Sequence, residues 1–345
     1  MDEVSAMFLW NITWKKSREH NGDYTVWNLE RTLLSVIRPG CFSTTHTRGF
    51  DNPRSFLKAL YYTNRQISDT IVLAQEKIMP EDNIVDASKP SAGRMYDYFL
   101  GGNHNFEVDR QAADELLRMF PFFPKYMRLQ RWALQDIAVE LSEKRGYDVI
   151  IDFASGLPTQ DHIHYKVKKG TTVIYSDYDP IVVEYTRDIL KDTRDVYFFQ
   201  SDARRPEELL NRAEVVKILA GRKKVAFVMW GIALFLEDED IRHATKTLYD
   251  WADPGSCLAF NAMAANMNLQ DPDIIKAEKM YREIGTPIHY RTTDLYSELV
   301  KPWKLDEQGW IDLLSWHGFD QSELGDKGSM TFGPMGGGFG AYLSK

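Results

Sequence analysis

The sequence predicts an α/β protein with a doubly wound, mostly parallel sheet, and two observations carry that expectation. From residue 125 onward, short β-branched runs alternate with amphipathic stretches, and an acidic residue recurs near the end of three successive runs. The runs cover residues 148–153, 172–176, 196–200, 225–230 and 256–261. Continuous apolar runs suit strands buried on both faces, and their alternation with helices implies right-handed βαβ units. Ahead of the first run, residues 125–145 have helical spacing through Met127, Trp132, Leu134, Ile137, Ala138 and Leu141, with Gly146 as the stop.

At 345 residues and 43% hydrophobic content, the chain can bury one large domain and an appendage. Polar, turn-forming residues (Pro80, Glu81, Asp82, Asn83, then Ser88, Lys89, Pro90) set the boundary. Residues 1–85 read as a mainly helical N-terminal extension. One helix is expected over 51–78, with Asp51 as its cap and Pro53 in its first turn, and a second over 26–37. Homodimerisation is the role expected of this extension. Residues 86–345 form the sheet domain, opened by a cap or lid segment at 86–124.

The formal charge of −8 provides no positive field for a phosphate backbone, which argues against nucleic acid as a partner. No window is long and apolar enough for a membrane helix, and the N-terminus lacks signal-peptide order, so the expected location is cytoplasmic. Only Cys41 and Cys257 are present, which argues against a disulfide framework or a cysteine-rich metal site. His162 and His164, read on one helix two residues apart, fall on different faces, and no metal site is expected.

Asp152, Asp177 and Asp202 stand 25 positions apart, one βα unit per carboxylate. Ligands of open α/β sheets bind at the carboxyl ends of the strands, so these side chains are expected around one crevice. Each Asp taken singly is equally well a helix cap; their equal period carries the inference. The first turn, Asp152-Phe153-Ala154-Ser155-Gly156-Leu157-Pro158-Thr159, breaks the G-x-G-x-x-G pattern at Ala154 and Pro158. That disfavours a pyrophosphate ligand, and with it a nicotinamide dehydrogenase. Asp177 can accept two hydrogen bonds from a ribose diol, Asp179 caps the helix opened by Pro180, and Asp202 can accept from an adenine amine. Tyr178 and Ala203, next to these carboxylates, complete the expected nucleoside contacts.

At these residues the chain resembles the S-adenosylmethionine (SAM) dependent methyltransferases with a seven-stranded Rossmann-like sheet. The likeness spans about residues 90–345. Within it, Pro90-Ser91-Ala92-Gly93-Arg94-Met95-Tyr96-Asp97-Tyr98-Phe99-Leu100-Gly101-Gly102, then Asn105-Phe106, looks like one branch's P-S-x-A-R-x-Y-D-Y-x-L-G-G-x-x-N-F opening. Ser155-Gly156-Leu157-Pro158-Thr159 looks like its D-x-x-S-G-L-P-T loop. The resemblance implies SAM as cofactor, with Asp152, Ala154, Ser155 and Gly156 contacting it, Asp177 on the ribose and Asp202 by the adenine. It also implies an antiparallel C-terminal hairpin, for which 322–330 and 338–344 are the candidates. Two departures stand out: Ala154 replaces a glycine usual in this loop, and residues 1–85 have no counterpart in the branch.

Two readings of the opening segment stand side by side. In one, Arg94, Tyr98, Gly101 and Asn105 belong to a lid over the cofactor, whose aromatic faces attract the sulfonium with about 0.5–2 kcal/mol. In the other, Tyr96 and Phe99 are core, and Arg94 pairs with Asp97 or Asp109. The fourth strand's end, from Met229 and Trp230 to Phe235, borders the methyl-acceptor pocket in this fold, and Trp230 is expected among the cofactor contacts. It lacks an N-P-P-Y signature, and its apolar nature points to a small-molecule acceptor methylated on oxygen or nitrogen. Candidate bases are His104, His243, His289 and Tyr290. Arg291, Tyr296 and Trp303 are candidates for a substrate entrance. The competing reading is a SAM-binding regulatory or scaffold protein that has lost turnover.

Overall fold

The computed structural model describes residues 14–17, 26–29, 88–159, 161–265, 267–325 and 338–345. The chain divides after Met79 into two compact units. Of the first, the described part is an antiparallel pair, β1 (Trp14–Ser17) and β2 (Val26–Leu29), with Trp14 opposite Leu29. Residues 26–29, expected to open a helix, are therefore a strand. Val26 and Trp27 are β-formers, and pairing with a second strand outweighs a weak helical period in so short a run. The rest of that expected helix, and the one at 51–78, lie outside the described residues.

The second unit contains the sheet. Its strands are β3 (Val149–Phe153), β4 (Thr172–Asp177), β5 (Val196–Gln200), β6 (Ala226–Met229), β7 (Cys257–Met263), β8 (Lys304–Leu305), β9 (Ile311–Asp312) and β10 (Gly338–Ser344). The order is β5-β4-β3-β6-β7-β10-β8, with β9 also on β10. Pairs among β3 to β7 are parallel, and all those of β10 are antiparallel. The sheet thus has one strand more than the resemblance implies. The expected hairpin arm at 322–330 is not a strand where it is described. Asp320 accepts from Ser322 N (2.9 Å) and starts a 3₁₀ turn, Gln321–Leu324, so β10 pairs instead with β7.

Because successive strand residues point to opposite faces, each face has its own core. Ile150, Val173, Tyr175, Ala226 and Val228 meet helices α1 (Ala92–Phe99), α2 (Glu107–Met119) and α3 (Phe123–Val139) through Met95, Leu116, Leu129 and Ile137. Ile151, Ile174, Phe227 and Met229 pack on the other face with Leu210, Leu248 and Tyr296. β3, β4 and β6 are wholly buried, whereas β5 is the sheet edge and largely half-exposed. Gly340 in β10 leaves no room for a side chain. A Cβ there would sit 2.5 Å from Trp230 and 2.8 Å from Trp316. Gly340→Ala is expected to destabilise the protein by about 1–3 kcal/mol, read as a lower urea midpoint with an unchanged slope.

Candidate functional site

The carboxyl ends of β3 and β4 are tied together by the turn after β3. Ala154 (φ 53°) and Gly156 (φ 64°) both adopt left-handed backbone, a conformation that costs an alanine about 1–2 kcal/mol. The strain lies where the resemblance would place a glycine. It bends the turn so that Ser155 N donates to Ser176 O (2.9 Å) and Gly156 N donates to Asp177 Oδ2 (3.0 Å). Asp177 Oδ1 accepts from Asp179 N (3.0 Å). Asp179 in turn accepts from Ile181 N (2.9 Å), capping α4 (Pro180–Ile189) as expected. Burial pushes the Asp177 carboxyl up to about 6, against the amides of Asp179 and Gly156, which favour its charged form.

Asp202 follows β5 at the third strand end. Both its oxygens are engaged by Arg204 Nε (3.0 and 2.9 Å), and Oδ1 also accepts from Arg204 N (2.9 Å). Burial would raise its pKa, but the bonds from Arg204 outweigh that and hold it below the usual range. The carboxylate expected to wait for an amine already has a guanidinium partner, two residues away. Tyr178, next to Asp177, is 60% exposed, and its hydroxyl feels the charges of Asp177, Asp179, Asp202 and Arg204. The two strand ends are adjacent, with Ser201 N donating to Asp177 O (3.0 Å). The Ala203 methyl, by contrast, is core.

Asp152 shares its face of β3 with Ile150 and so points to the side that α1 to α3 cover. It is 2% exposed, and its Oδ2 has no hydrogen-bond partner. Burial raises its pKa well above the carboxylate range, with Arg131 of α3 opposing. His162 Nε2 lies 3.9 Å from Asp152 Oδ2. Contrary to the helical expectation, His162 caps a 3₁₀ turn (Ile163–Tyr165) that contains His164, and the Nδ1 atoms of both lie 3.0 Å from the Tyr175 hydroxyl. His162 Nδ1 also accepts from Ile163 N (2.9 Å), so its Nε2–H is assigned as the donor to Ser155 O (3.1 Å). Burial holds this imidazole neutral, as a peg under the turn.

In the opening segment, Arg94 is buried. Its Nε donates to Asp109 (2.7 Å) and its Nη2 to Lys89 O (2.7 Å), and it lies over Phe106. Asp97 Oδ2 accepts from His104 N (2.8 Å) and Asn105 Nδ2 (2.9 Å), while Tyr98 donates to Asp114 (2.9 Å). Gly101 supplies a left-handed turn (φ 84°). A Cβ on Gly102 would sit 2.1 Å from Asp97 Oδ1. These groups are occupied with the segment's own architecture, including the Arg94–Asp109 pair. His104 stacks edge-on against Tyr185 of α4 (4.9 Å), which docks the segment beside the second turn.

Beyond β6, Trp230 is core: its Nε1 donates to Gln130 O (3.1 Å), and its ring packs on Trp316. Tyr296 and Trp303 are buried and line no entrance, whereas Arg291, also largely buried, lines the groove of His289 and Tyr290. Arg291 donates to Ala233 O (3.0 Å), Leu236 O (2.6 Å) and Asp238 Oδ1 (2.7 Å), locking the turn after β6. His289 N donates to Leu234 O (2.8 Å), with its Nε2 3.5 Å from Glu237. Tyr290 joins Phe235, Met263, Met267 and Tyr281 around Leu234 and Ile288, and burial raises its phenol. His289 and Tyr290 line a groove of about 590 Å³ with Glu237 and Glu278. His243 pairs with Glu207 (3.2 Å) on an exposed helix. Among the described residues no three His, Cys, Asp or Glu side chains gather as a metal cluster, and no helix is long and apolar enough to cross a membrane.

A family model described as S-adenosyl methyltransferase matches residues 79–337. Among solved structures, a candidate methyltransferase of Thermobifida fusca YX is 25% identical, with a TM-score of 0.66 over 78% of this chain and 99% of that one. A DUF574 family protein of Streptomyces avermitilis is 24% identical, with a TM-score of 0.65 over 75% and 99%. No curated protein matches the chain.

Proposed function

The chain belongs to the S-adenosyl methyltransferase family and is a SAM-dependent methyltransferase; from that premise we propose that it methylates oxygen or nitrogen of a small molecule. The observation that carries the site assignment is the buried Asp177 carboxylate at a strand end, fixed by Gly156 N and Asp179 N and with acceptor capacity beyond those two bonds. The residues fit the cofactor. Asp177 would take the ribose diol, the 154–156 turn would lie along the nucleoside, and Tyr178 with Asp202 would border the adenine. Asp202 retains acceptor capacity beside Arg204. Bound SAM supplies a methyl group activated by its sulfonium.

The chain's own contribution is to align an acceptor behind that methyl and exclude water, and positioning alone can supply several kcal/mol. The apolar, aromatic cluster around Leu234 and Ile288 supports a partly hydrophobic acceptor. Tyr290, kept protonated by burial, suits donation rather than base catalysis. His289 is the base to test first, since its Nε2 is buried without a hydrogen-bond partner. Arg94, Tyr98, Gly101 and Asn105 shape the cap beside the site, and His104 docks it. A cytoplasmic location, supported by the low cysteine count, and dimerisation through residues 1–85 belong to the same proposal.

A pooled-metabolite screen tests it. S-adenosylhomocysteine should form above background with hydroxyl- or amine-bearing compounds, and turnover should fall in His289→Ala. Turnover confined to protein or RNA acceptors would overturn the small-molecule assignment.

A further inference from the structure

β5 ends the sheet, and among the described residues it has a neighbour on one side only, β4. The ladder between them is framed by Val173 N donating to Asp195 O (2.8 Å) and Ser201 N donating to Asp177 O (3.0 Å). Alternate residues of a parallel strand bond to the same neighbour, so Tyr197 and Phe199 also face β4. Val196, Phe198 and Gln200 therefore turn their N–H and C=O groups to the open side. Natural edges are commonly blunted by a charge, a proline or a bulge on the strand itself. β5, Val196-Tyr197-Phe198-Phe199-Gln200, has no charge and no proline, and its register with β4 is unbroken. It is a regular template for one more strand.

Along this edge runs a groove of about 460 Å³, with Phe198 and Leu190 in its apolar wall. Arg187 and Lys191, four positions apart at the end of α4, rim one side. Arg212 stands on the opposite face, 5.2 Å over the Phe199 ring, with Nη1 3.4 Å from Gln200 O and Nε 3.4 Å from Glu214. The lining holds three cations and, among the described residues, no carboxylate, on a chain of net charge −8. This local reversal of sign selects the occupant. A second copy paired edge to edge would set the cations against themselves, which is unfavourable. An extended segment with acidic side chains is complementary, its main chain to the strand and its carboxylates to the rim.

We propose that the outer edge of β5 docks an acidic, extended peptide segment of a partner protein by strand addition, Arg187 and Lys191 meeting carboxylates on one face and Arg212 on the other. The main chain of β5 supplies affinity whatever the sequence added, and the three cations select for acid. Neither the cofactor nor the methyl acceptor enters this proposal.

Fluorescence anisotropy of the full chain with three labelled heptapeptides tests it: alternating Glu and Val, alternating Lys and Val, and the Glu-Val peptide with every amide N-methylated, which keeps the charge and loses strand pairing. The Glu-Val peptide should bind at least about tenfold more tightly than the other two. Raising salt from about 50 to about 300 mM should weaken it. Two variants should each lose about tenfold: the Arg187→Gln, Lys191→Gln pair, and Val196→Pro, which removes an outward N–H where an edge strand accepts proline. Unchanged urea unfolding shows that the sheet of each is intact. Should the proline variant unfold at lower urea, the glutamine pair, which alters no backbone, decides alone. Equal binding of the methylated peptide overturns strand addition. Equal binding of the Lys-Val peptide, or binding of none of the three, overturns the acidic partner. Self-association of the chain that Val196→Pro abolishes would assign the edge to a second copy and overturn the proposal.

Discussion

Asp109→Ala is expected to lower stability by about 3–5 kcal/mol, because it strands a buried guanidinium. Asp109 is fully buried and accepts three hydrogen bonds: Arg94 Nε (2.7 Å), Ser91 N (2.8 Å) and Phe106 N (2.8 Å). Arg94 is itself 5% exposed, so losing its partner leaves a charge that water cannot reach. The two amides mark the starts of α1 and α2, so one side chain fixes the entry to both helices. Urea unfolding measures the effect. Asp109→Asn, which keeps the shape and some acceptor capacity, should fall between. A loss below about 1 kcal/mol for the alanine variant would show that the pair contributes little beyond its burial cost.

Asp177→Ala should weaken SAM by about 100-fold, the loss of charge-assisted bonds to a vicinal diol. The same residue gives the affinity a pH signature. Its carboxyl rises from an ordinary 3.8 to about 6 on folding. Between those values the folded chain holds more protons than the unfolded one, so this group's contribution to stability declines as pH rises through the window. That is the reverse of the usual ion-paired carboxylate. Ligand binding runs the other way, because the diol prefers the ionised acceptor. SAM affinity should be flat above about pH 7 and fall as pH drops through 6, while the stability of the free protein gains from the same protonation. Asp177→Asn should bind weakly at every pH and flatten the profile between 5 and 7. A slope that persists in that variant would place the titrating group elsewhere.

Much of the domain could be read before any coordinates. Apolar runs of five or six residues separated by amphipathic helices mark β3, β4 and β6, since burial on both faces leaves no polar position to obscure them. The cap at Asp179 was legible because capping is local: acceptor and amide are two residues apart. Asp177 followed from the period of the βα units. Errors came where two local rules competed. Ser322 and its neighbours yielded to the Asp320 turn, and 26–29 yielded to strand pairing. An α-helix would hold His162 and His164 apart, but His162 is the extended cap of a 3₁₀ turn that contains His164, and both rings reach the Tyr175 hydroxyl.

The sequence by itself determined that β3, β4 and β6 are buried, that Asp179 caps α4, and that acidic residues recur at strand ends, because periodicity and capping act within a few residues of each other. Only the tertiary structure decided what those acids meet. Arg131 sits on an ordinary amphipathic helix, 21 positions before Asp152, and nothing local distinguishes it from a solvated charge. It leaves water only when α3 packs over β3, which buries Arg131 and Asp152 together. Likewise, packing turns Trp230, Tyr296 and Trp303 inward, away from any entrance. Side-chain convergence across distant segments depends on how whole elements dock, and no short-range pattern encodes it.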